Sequence, residues 1–205
     1  MANKLWDKGF KEDERIDAFT VGNDRELDHE LAPYDIMGTM AHITMLESVG
    51  LLSKEDLDKL LPVLKELYSS ACKGELYVEE DVEDIHSQIE LMLTRRLGDV
   101  GKKVHTGRSR NDQVLVDLKL YARAEIENTV HKVESLFNTL QEASERYKDV
   151  LIPGYTHLQV AMPSSFGLWF GAYAESLCDD LSIMKAAWDV VNLNPLGSAA
   201  GYGSI

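Results

Sequence analysis

An apolar side chain recurs every three or four positions, without a break, from Val114 to Leu140. This period is typical of one face of an α-helix. The pattern predicts a helix over residues 111–147, which would be roughly 55 Å long at about 1.5 Å per residue. A helix of that length exceeds the usual globular helix and therefore indicates a long helical bundle.

The rest of the apolar pattern completes the predicted secondary structure. A stripe of large apolar residues opens at Pro163 and continues to Val191, which indicates a helix buried against several others. Shorter helical stripes precede the long helix; Ser53 is placed as the N-cap of one of them, and Pro62 predicts a kink or a split within it. Residues 149–159 are predicted to form a loop, and no alternating run is long enough to indicate a strand. The sequence therefore predicts an all-α fold.

The chain is predicted to divide near a basic loop that precedes the long helix. Residues 1–108 form a smaller helical domain in this interpretation, beginning with an irregular arm that holds at most one short helix. Residues 109–205 supply the first long helices of a bundle. Two long helices cannot surround their own apolar surfaces. We therefore expect the bundle to be completed by sequence beyond this chain, by other subunits, or by both.

Composition excludes several kinds of partner. The 205 residues contain 35 acids against 21 bases, a formal net charge of −14, whereas nucleic acids and anionic membranes are bound through a cationic face. The charge-free stretch 150–174 is too polar and too interrupted by proline to span a bilayer. Cys72 and Cys178 are far apart in sequence and form no metal-binding pair. We expect a cytoplasmic protein that binds neither nucleic acid nor a membrane.

The densest group of polar residues is the segment 105–113, which reads HTGRSRNDQ. Six bases and one acid lie between residues 95 and 110. The segment leads into the long helix, whose first free N–H groups and positive dipole end favour anions. Ser109, Arg110 and Asn111 add side-chain donors suited to carboxylates or phosphates. Two interpretations remain open: an anion site, or a helix cap with solvated charges.

A second candidate group, GYTHLQ, lies in the charge-free stretch. Its histidine, His157, is flanked by Thr156 and Gln159, which can both hydrogen-bond a ligand. We expect His157 to be buried away from acids, which favours a neutral imidazole that exchanges protons near neutral pH. The alternative is a histidine that is only hydrogen-bonded within the core. The position of the group in a loop, rather than on an apolar stripe, favours the catalytic interpretation.

A third candidate group precedes the basic loop. Asp84 and His86 flank Ile85, which belongs to an apolar stripe. These two side chains either line the same cleft as the basic loop or lie on a solvated helix face. The histidines of the chain show no HxxxH spacing, so we predict no metal.

Together these motifs resemble the argininosuccinate lyases, a branch of the fumarase/aspartase superfamily. The resemblance rests on TGRSRNDQ and GYTHLQ, supported by EDIHSQIE, RRLGDVGKKVHTG and YDIMGTMAH. It covers essentially the whole chain after about the first dozen residues. Related branches of the superfamily carry different residues in the loop equivalent to TGRSRNDQ.

The resemblance implies reversible β-elimination of argininosuccinate to arginine and fumarate, in arginine biosynthesis and without a cofactor. It implies that His157 is a catalytic acid or base. It also implies a homotetramer whose long helices form a central bundle, with each active site built from three subunits. The positions that it places in or near the substrate site are Ser109, Arg110, Asn111, Thr156, Gln159, Asp84 and His86.

Two departures from the family pattern accompany these expectations. The family's mobile catalytic loop, a serine-containing segment like GSSxMPxKxN, is expected beyond Ile205, so we expect an N-terminal portion that is inactive alone. Near the start, FTVGNDRELD carries Gly22, Asn23 and Asp24 where family members have a substrate-binding serine.

Two alternatives stay open: a sister lyase that releases fumarate from another substrate, and a non-catalytic, crystallin-like assembly protein.

Overall fold

The structure, a computed structural model, describes residues 14–80 and 82–195. Its helices are α1 (Glu14–Val21), α2 (Asp24–Leu27), α3 (Ala32–Ser48), α4 (Lys54–Cys72), α5 (Ile85–Leu97), α6 (Asp99–Lys102), α7 (Arg110–Arg146) and α8 (Phe166–Val191). Two strands, β1 (Leu151–Thr156) and β2 (Gln159–Ser165), separate α7 from α8, and 3-10 turns occupy Asp28–Glu30 and Lys103–His105. The predicted helical fold class is confirmed, since only these two short strands interrupt the helices of the described ranges.

Contacts group the chain into two compact units, residues 1–121 with 194–205, and residues 122–193. In the first unit, α3, α4 and α5 pack around an aliphatic core, and each fully buried leucine or isoleucine stabilises it by roughly 1.5–3 kcal/mol. Most of its buried side chains come from the predicted stripes, and Leu93, which was not among them, is buried beside them: Ile36, Ile43, Leu46, Leu57, Leu60, Leu64, Leu67, Ile85, Ile89 and Leu93. The predicted domain boundary between residues 108 and 109 stays a prediction.

The capping residue and the proline noted in the sequence of the first unit differ in how well they predict its helices. The Asp56 N–H donates to Ser53 Oγ at 3.1 Å, which confirms the predicted N-cap of α4. The predicted split at Pro62 is wrong, because α4 continues unbroken past this residue. Pro62 faces solvent while the leucine stripe is buried on both sides of it, so packing holds the helix together. The arm predicted to be irregular holds α1 and α2 from residue 14 onward, and its residues 1–13 lie outside the described ranges.

The second unit corrects the prediction for residues 149–165. β1 and β2 pair as an antiparallel hairpin where the sequence predicts a loop, and α8 begins at Phe166 rather than at Pro163. The two residues of the turn, His157 and Leu158, have φ angles of 51° and 63°. Such turns are normally signalled by glycine or asparagine, and neither is present here.

Much of the apolar surface of the second unit is exposed within this chain. Only Gly167 and Ala174 are buried on α8, among the described residues. The sequence predicts a helix buried against several others, and this chain alone does not supply that burial. The exposed apolar side chains of α8 include Leu168, Trp169, Tyr173, Ile183 and Val190. Within the described ranges, no helix combines the length and the apolar character that crossing a membrane requires.

Candidate functional site

The predicted anion site lies at the beginning of α7, in the first unit. Asp112 accepts a hydrogen bond from the Ser109 N–H at 3.0 Å, and Ser109 Oγ accepts one from the Asn111 N–H at 3.1 Å. These bonds satisfy N–H groups that the first turn of a helix otherwise leaves free. Gly107, with φ of 66°, turns the chain into this first turn. The positive end of a 37-residue helix therefore lies at Ser109, Arg110 and Asn111.

Arg110 is held by the beginning of α5. Its Nη1 donates to Asp84 Oδ2, and its Nη2 donates to Ser87 Oγ at 3.0 Å. Asp84 is also the N-cap of α5, where its Oδ1 accepts from the Ser87 N–H at 2.8 Å. The Arg110 and Asp84 side chains are only 24% and 14% exposed. The structure thus brings two predicted site residues together, and Asp84 precedes the helix instead of lying on a solvated face.

His86 belongs to a buried polar network beneath this loop, which contradicts the solvated-face alternative. Its Nδ1 lies 3.0 Å from Asp35 Oδ1 and 3.5 Å from Asp117 Oδ2. Gln113 Nε2 donates to the same Asp35 oxygen. The Asp35 and Asp117 side chains are fully buried, and His86 is 6% exposed. The network joins α3, α5 and the first turns of α7.

Sequence reasoning missed most of this network. Arg108, inside the quoted TGRSR motif, donates from Nη1 and Nη2 to Thr39 Oγ1 at 3.2 and 3.1 Å. One usable signal is spacing, because Asp35 and Thr39 lie four residues apart on α3, and Gln113 and Asp117 lie four apart on α7. Residues at this spacing share one face of a helix. Paired polar residues on helices that otherwise pack through apolar stripes indicate a buried polar contact.

Burial and charge act differently on the three titratable groups of the network. Burial raises the pKa of Asp117 to about 9, and the neighbouring Asp35 carboxylate adds to that shift. Burial also opposes ionisation of Asp35, but the hydrogen bond and charge of His86 lower the pKa of Asp35 overall. Burial disfavours the charged form of His86, yet its hydrogen bond to Asp35 leaves its pKa raised. Asp35 and His86 therefore favour an ion pair, whereas Asp117 favours the protonated acid.

The same three side chains have the spacing of a metal site. One ligand atom from each of Asp35, His86 and Asp117 lies within 4.8 Å of the others. However, His86 Nδ1 is already engaged with Asp35, and the Arg108 guanidinium adds a positive charge beside both carboxylates. A second cation here would be repelled by these groups. We interpret the cluster as a hydrogen-bonded network, and the absence of a metal stays a prediction.

The basic segment before α7 is less cationic than its sequence suggests. Arg108 is partly buried and donates to Thr39, and Arg110 is paired with Asp84. The other four bases each have a nitrogen 3.0 Å or less from a carboxylate oxygen, in the pairs Arg95–Glu79, Arg96–Glu66, Lys102–Asp99 and Lys103–Asp56. Attraction for an anion at this loop therefore comes chiefly from the helix end and its hydrogen-bond donors.

The second candidate group lies at the tip of the hairpin in the second unit. Thr156 Oγ1 and His157 Nδ1 are 3.0 Å apart and hydrogen-bonded. The predicted burial of His157 is wrong, because its side chain is exposed in this chain. Leu158 beside it is 98% exposed, and Gln159 begins β2. Thr156, His157 and Gln159 thus belong to one turn and face solvent.

The candidate residues fall into two groups. Ser109, Arg110 and Asn111 lie in the first unit with Asp84 and His86, while the hairpin residues lie in the second unit. Arg110 contacts Asp84 directly, and His86 lies below the loop with its Nδ1 turned to Asp35. The roles of all these residues in a reaction stay predictions.

These observations define a class of protein: a long-helix, all-α chain with a polar loop at the start of its longest helix and an exposed Thr-His turn. The sequence matches the protein family described as Lyase over residues 8–205. The chain belongs to this lyase family.

Named relatives agree with this membership. The chain is 66% identical over 204 residues to an argininosuccinate lyase of Parabacteroides distasonis, and 39% identical over 203 residues to one of Thermotoga neapolitana. These alignments cover 100% and 99% of this chain but 46% and 51% of the relatives, so the chain spans about half of their length. Among solved structures, an EDDS lyase variant with bound fumarate matches with a TM-score of 0.73 and 26% identity, covering 96% of this chain and 39% of that one. The fold is also shared by a β-carboxy-cis,cis-muconate cycloisomerase from Acinetobacter calcoaceticus, which matches with a TM-score of 0.68 and 19% identity. That match covers 92% of this chain and 44% of the other.

Proposed function

We propose that this chain carries part of the active site of an argininosuccinate lyase, which cleaves argininosuccinate to arginine and fumarate in arginine biosynthesis. The observation that carries the proposal is the start of α7, where Ser109, Arg110 and Asn111 lie at a helix N-terminus and Asp84 holds Arg110. This arrangement suits a substrate carboxylate. The relatives named argininosuccinate lyase, and the fumarate bound to EDDS lyase, support the same substrate class.

The reaction we propose is a β-elimination that needs no cofactor. A base removes a proton from the carbon beside a carboxylate, the electron pair forms the double bond of fumarate, and the C–N bond breaks. The departing guanidinium nitrogen then takes a proton. We assign one of these proton transfers to His157, with Thr156 and Gln159 as substrate contacts in the same turn. General acid–base help contributes about 100-fold or more, and each preorganised donor to the developing oxyanion about 3 kcal/mol.

We also propose that copies of this chain assemble through the second unit as a homotetramer. Support comes from α8, where Trp169, Tyr173 and Ile183 are 48%, 54% and 72% exposed. Apolar patches of this kind are typical of protein interfaces. Leu158, strained at positive φ and 98% exposed, gives the hairpin no packing of its own, so we assign the tip to a contact with a neighbouring subunit. The free, exposed Cys72 and Cys178 favour a reducing cytoplasm.

The catalytic assignment is tested by changing His157→Asn in the protein expressed from its complete reading frame. Fumarate formation from argininosuccinate is followed by ultraviolet absorbance, and substrate binding by calorimetry. We expect turnover to fall by about 100-fold or more, with affinity little changed. His131→Asn, which alters another exposed histidine, is the matched control and should retain turnover. Near-normal turnover in His157→Asn would remove that residue from the mechanism.

A second candidate is a sister lyase that acts on another fumarate-releasing substrate, and the match to EDDS lyase favours it. Argininosuccinate, aspartate, malate and adenylosuccinate are compared as substrates of the same preparation. We expect fumarate from argininosuccinate alone. Release of fumarate from a different member of the panel, with none from argininosuccinate, would replace the first proposal by the second.

A further inference from the structure

Two carboxyl groups in the buried network lack a complete set of hydrogen bonds. Asp35 Oδ1 is bonded to His86 and Gln113, but Asp35 Oδ2 is buried without a donor. Both side-chain oxygens of Asp117 are also buried without a donor. Two carboxylates left in this way would each carry a desolvation cost that water or a donor normally removes.

One proton would remove the repulsion between the two carboxylates and give partners to two of the three unpaired oxygens, Asp35 Oδ2 and one oxygen of Asp117. One carboxylate oxygen of Asp35 lies within 4.8 Å of one of Asp117, and both carboxyl groups are fully buried. If Asp117 carries a proton, it becomes a donor and Asp35 Oδ2 becomes its acceptor. Gly38 permits the close packing that encloses the pair, because a Cβ at this position would lie only 3.6 Å from Asp117 Oδ1 and 3.3 Å from Val116 Cγ1. The proton is therefore held between α3 and α7.

The charged groups around Asp117 come from four segments. Asp35 faces it from α3, His86 from α5, Arg108 from the loop before α7, and Asp28 from the turn before α3. His86 Nδ1 is directed to Asp35, and the Arg108 guanidinium donates to Thr39. The hydrogen bonds that His86 Nδ1 and the Arg108 Nη atoms make therefore go to other acceptors, and Arg108 Nε is buried without one. Burial and the Asp35 charge both raise the pKa of Asp117, in agreement with this geometry.

We propose that Asp117 is a neutral carboxylic acid at neutral pH, that it donates a hydrogen bond to Asp35, and that this acid–carboxylate pair positions the first turns of α7. Asp35 then holds Gln113, which follows directly on the Ser109–Asp112 turn. Asp117 acts as a positioning residue through Asp35. The protonation of Asp117 does not depend on the proposed function. The inference that this proton helps the loop at the start of α7 to bind substrate does rest on the proposed function.

The proton is tested directly on the full chain by carbon NMR of ¹³C-labelled aspartate side chains. The Asp117 signal is assigned by its loss in Asp117→Asn, and Asp179→Asn is the control because it makes the same change at an exposed site. We expect the Asp117 carboxyl to remain protonated through neutral pH, in agreement with its raised pKa. Titration of Asp117 together with the exposed aspartates would overturn the proposal.

Two variants separate a hydrogen-bond donor from a charge. Asp117→Asn keeps a neutral donor for Asp35, so we expect its melting temperature to stay within about 3 °C of the wild type at neutral pH. Asp117→Ala removes the donor and should lower the melting temperature by about 4 °C or more and broaden the Gln113 side-chain amide signals. Equal losses in both variants would contradict a donor role.

A metal ion bound by Asp35, His86 and Asp117 is the alternative to a proton in this cluster. Fumarate binding is measured as well, so that failure of the proton assignment can be told from failure of the proposed function. Saturable binding of Mn²⁺, seen as broadening of the His86 signals that Asp117→Asn abolishes, would overturn the proton in favour of a metal. If the proton assignment holds, Asp117→Ala should weaken fumarate binding more than Asp117→Asn. Absence of fumarate binding in the wild type counts against the proposed function and leaves the NMR result to decide on the proton.

Discussion

The ion pair between Asp84 and Arg110 links two of the candidate segments, and its strength can be measured by a double-mutant cycle. Asp84→Asn removes the charge but keeps an amide oxygen that can accept from the Ser87 N–H at the start of α5. Arg110→Met removes the charge and keeps most of the side-chain length. The cycle consists of the wild type, the two single variants and the double variant, with the free energy of unfolding measured for each.

The expected coupling follows from burial. Hydrogen bonds to charged groups stabilise proteins by about 1.5–3 kcal/mol when shielded, whereas exposed ion pairs give about 0.2–1 kcal/mol. The two side chains are 24% and 14% exposed, so we expect a coupling energy of about 1–2 kcal/mol between Asp84 and Arg110. A change of this size in a chain of 205 residues lowers the melting temperature by about 2–8 °C.

Urea unfolding at low and at high salt provides the assay. The matched control is a second cycle on Lys185 and Asp189, an i,i+4 pair on α8 whose side chains are 75% and 61% exposed. That control should give about 0.3–0.5 kcal/mol and lose it in high salt, while the Asp84–Arg110 coupling persists. A coupling energy no larger than that of the control would refute the conclusion that α5 holds Arg110 in place.

Three further predictions concern stability. Folding raises the pKa of Asp117 above its unfolded value, so the free energy of unfolding should fall as pH rises through about 5 to 8, by up to about 1.4 kcal/mol per pH unit. In urea titrations Asp117→Asn should reduce this slope and leave the part that comes from the raised pKa of His86. Slopes equal to those of the wild type would contradict the assignment. Gly101→Ala should lower the free energy of unfolding by about 3 kcal/mol, because the new Cβ would lie 2.5 Å from the Leu93 carbonyl carbon. The control Gly171→Ala, whose Cβ would lie 3.4 Å from Ser144 Oγ, should leave stability unchanged or raise it, as measured by calorimetry. Leu158→Asn should raise the stability of the chain by about 1 kcal/mol, since asparagine tolerates positive φ. The same change should weaken self-association, as measured by ultracentrifugation. A lower stability would instead show that the Leu158 side chain packs within this chain.

The helical part of the fold was predictable because apolar residues recur with the period of a helix. The stripe from Val114 to Leu140 lies within α7, and the capping contact between Ser53 and Asp56 occurs as predicted. Of the two alternatives at Pro62, the split is wrong, because the leucines on both sides of it are buried along one continuous α4, and the kink stays a prediction. Tertiary packing here outweighs one lost backbone hydrogen bond.

The hairpin and the buried network could not be predicted for a different reason. Both depend on contacts between residues that are not periodic in sequence. The turn at His157 and Leu158 adopts positive φ without glycine, so the usual turn signal is missing. Asp35 and Asp117 are 82 positions apart, and although the four-residue spacing of Asp35 with Thr39 and of Gln113 with Asp117 indicates a buried polar face on each helix, it does not show that these two faces meet. What the sequence could provide was the residue types in TGRSRNDQ and GYTHLQ, and a resemblance that depends on them.

The charge pattern shows why residue types alone gave an incomplete account of the predicted anion site. Six bases between residues 95 and 110 suggest a cationic surface, yet Arg95, Arg96, Lys102 and Lys103 are neutralised by nearby acids. Arg108 and Arg110 are used to hold the loop in place. An anion that binds here therefore meets a fixed set of donors more than an excess of positive charge. Because exposed pairs are screened by salt and the helix end is held by short-range bonds, fumarate binding should depend less on ionic strength than the number of bases implies.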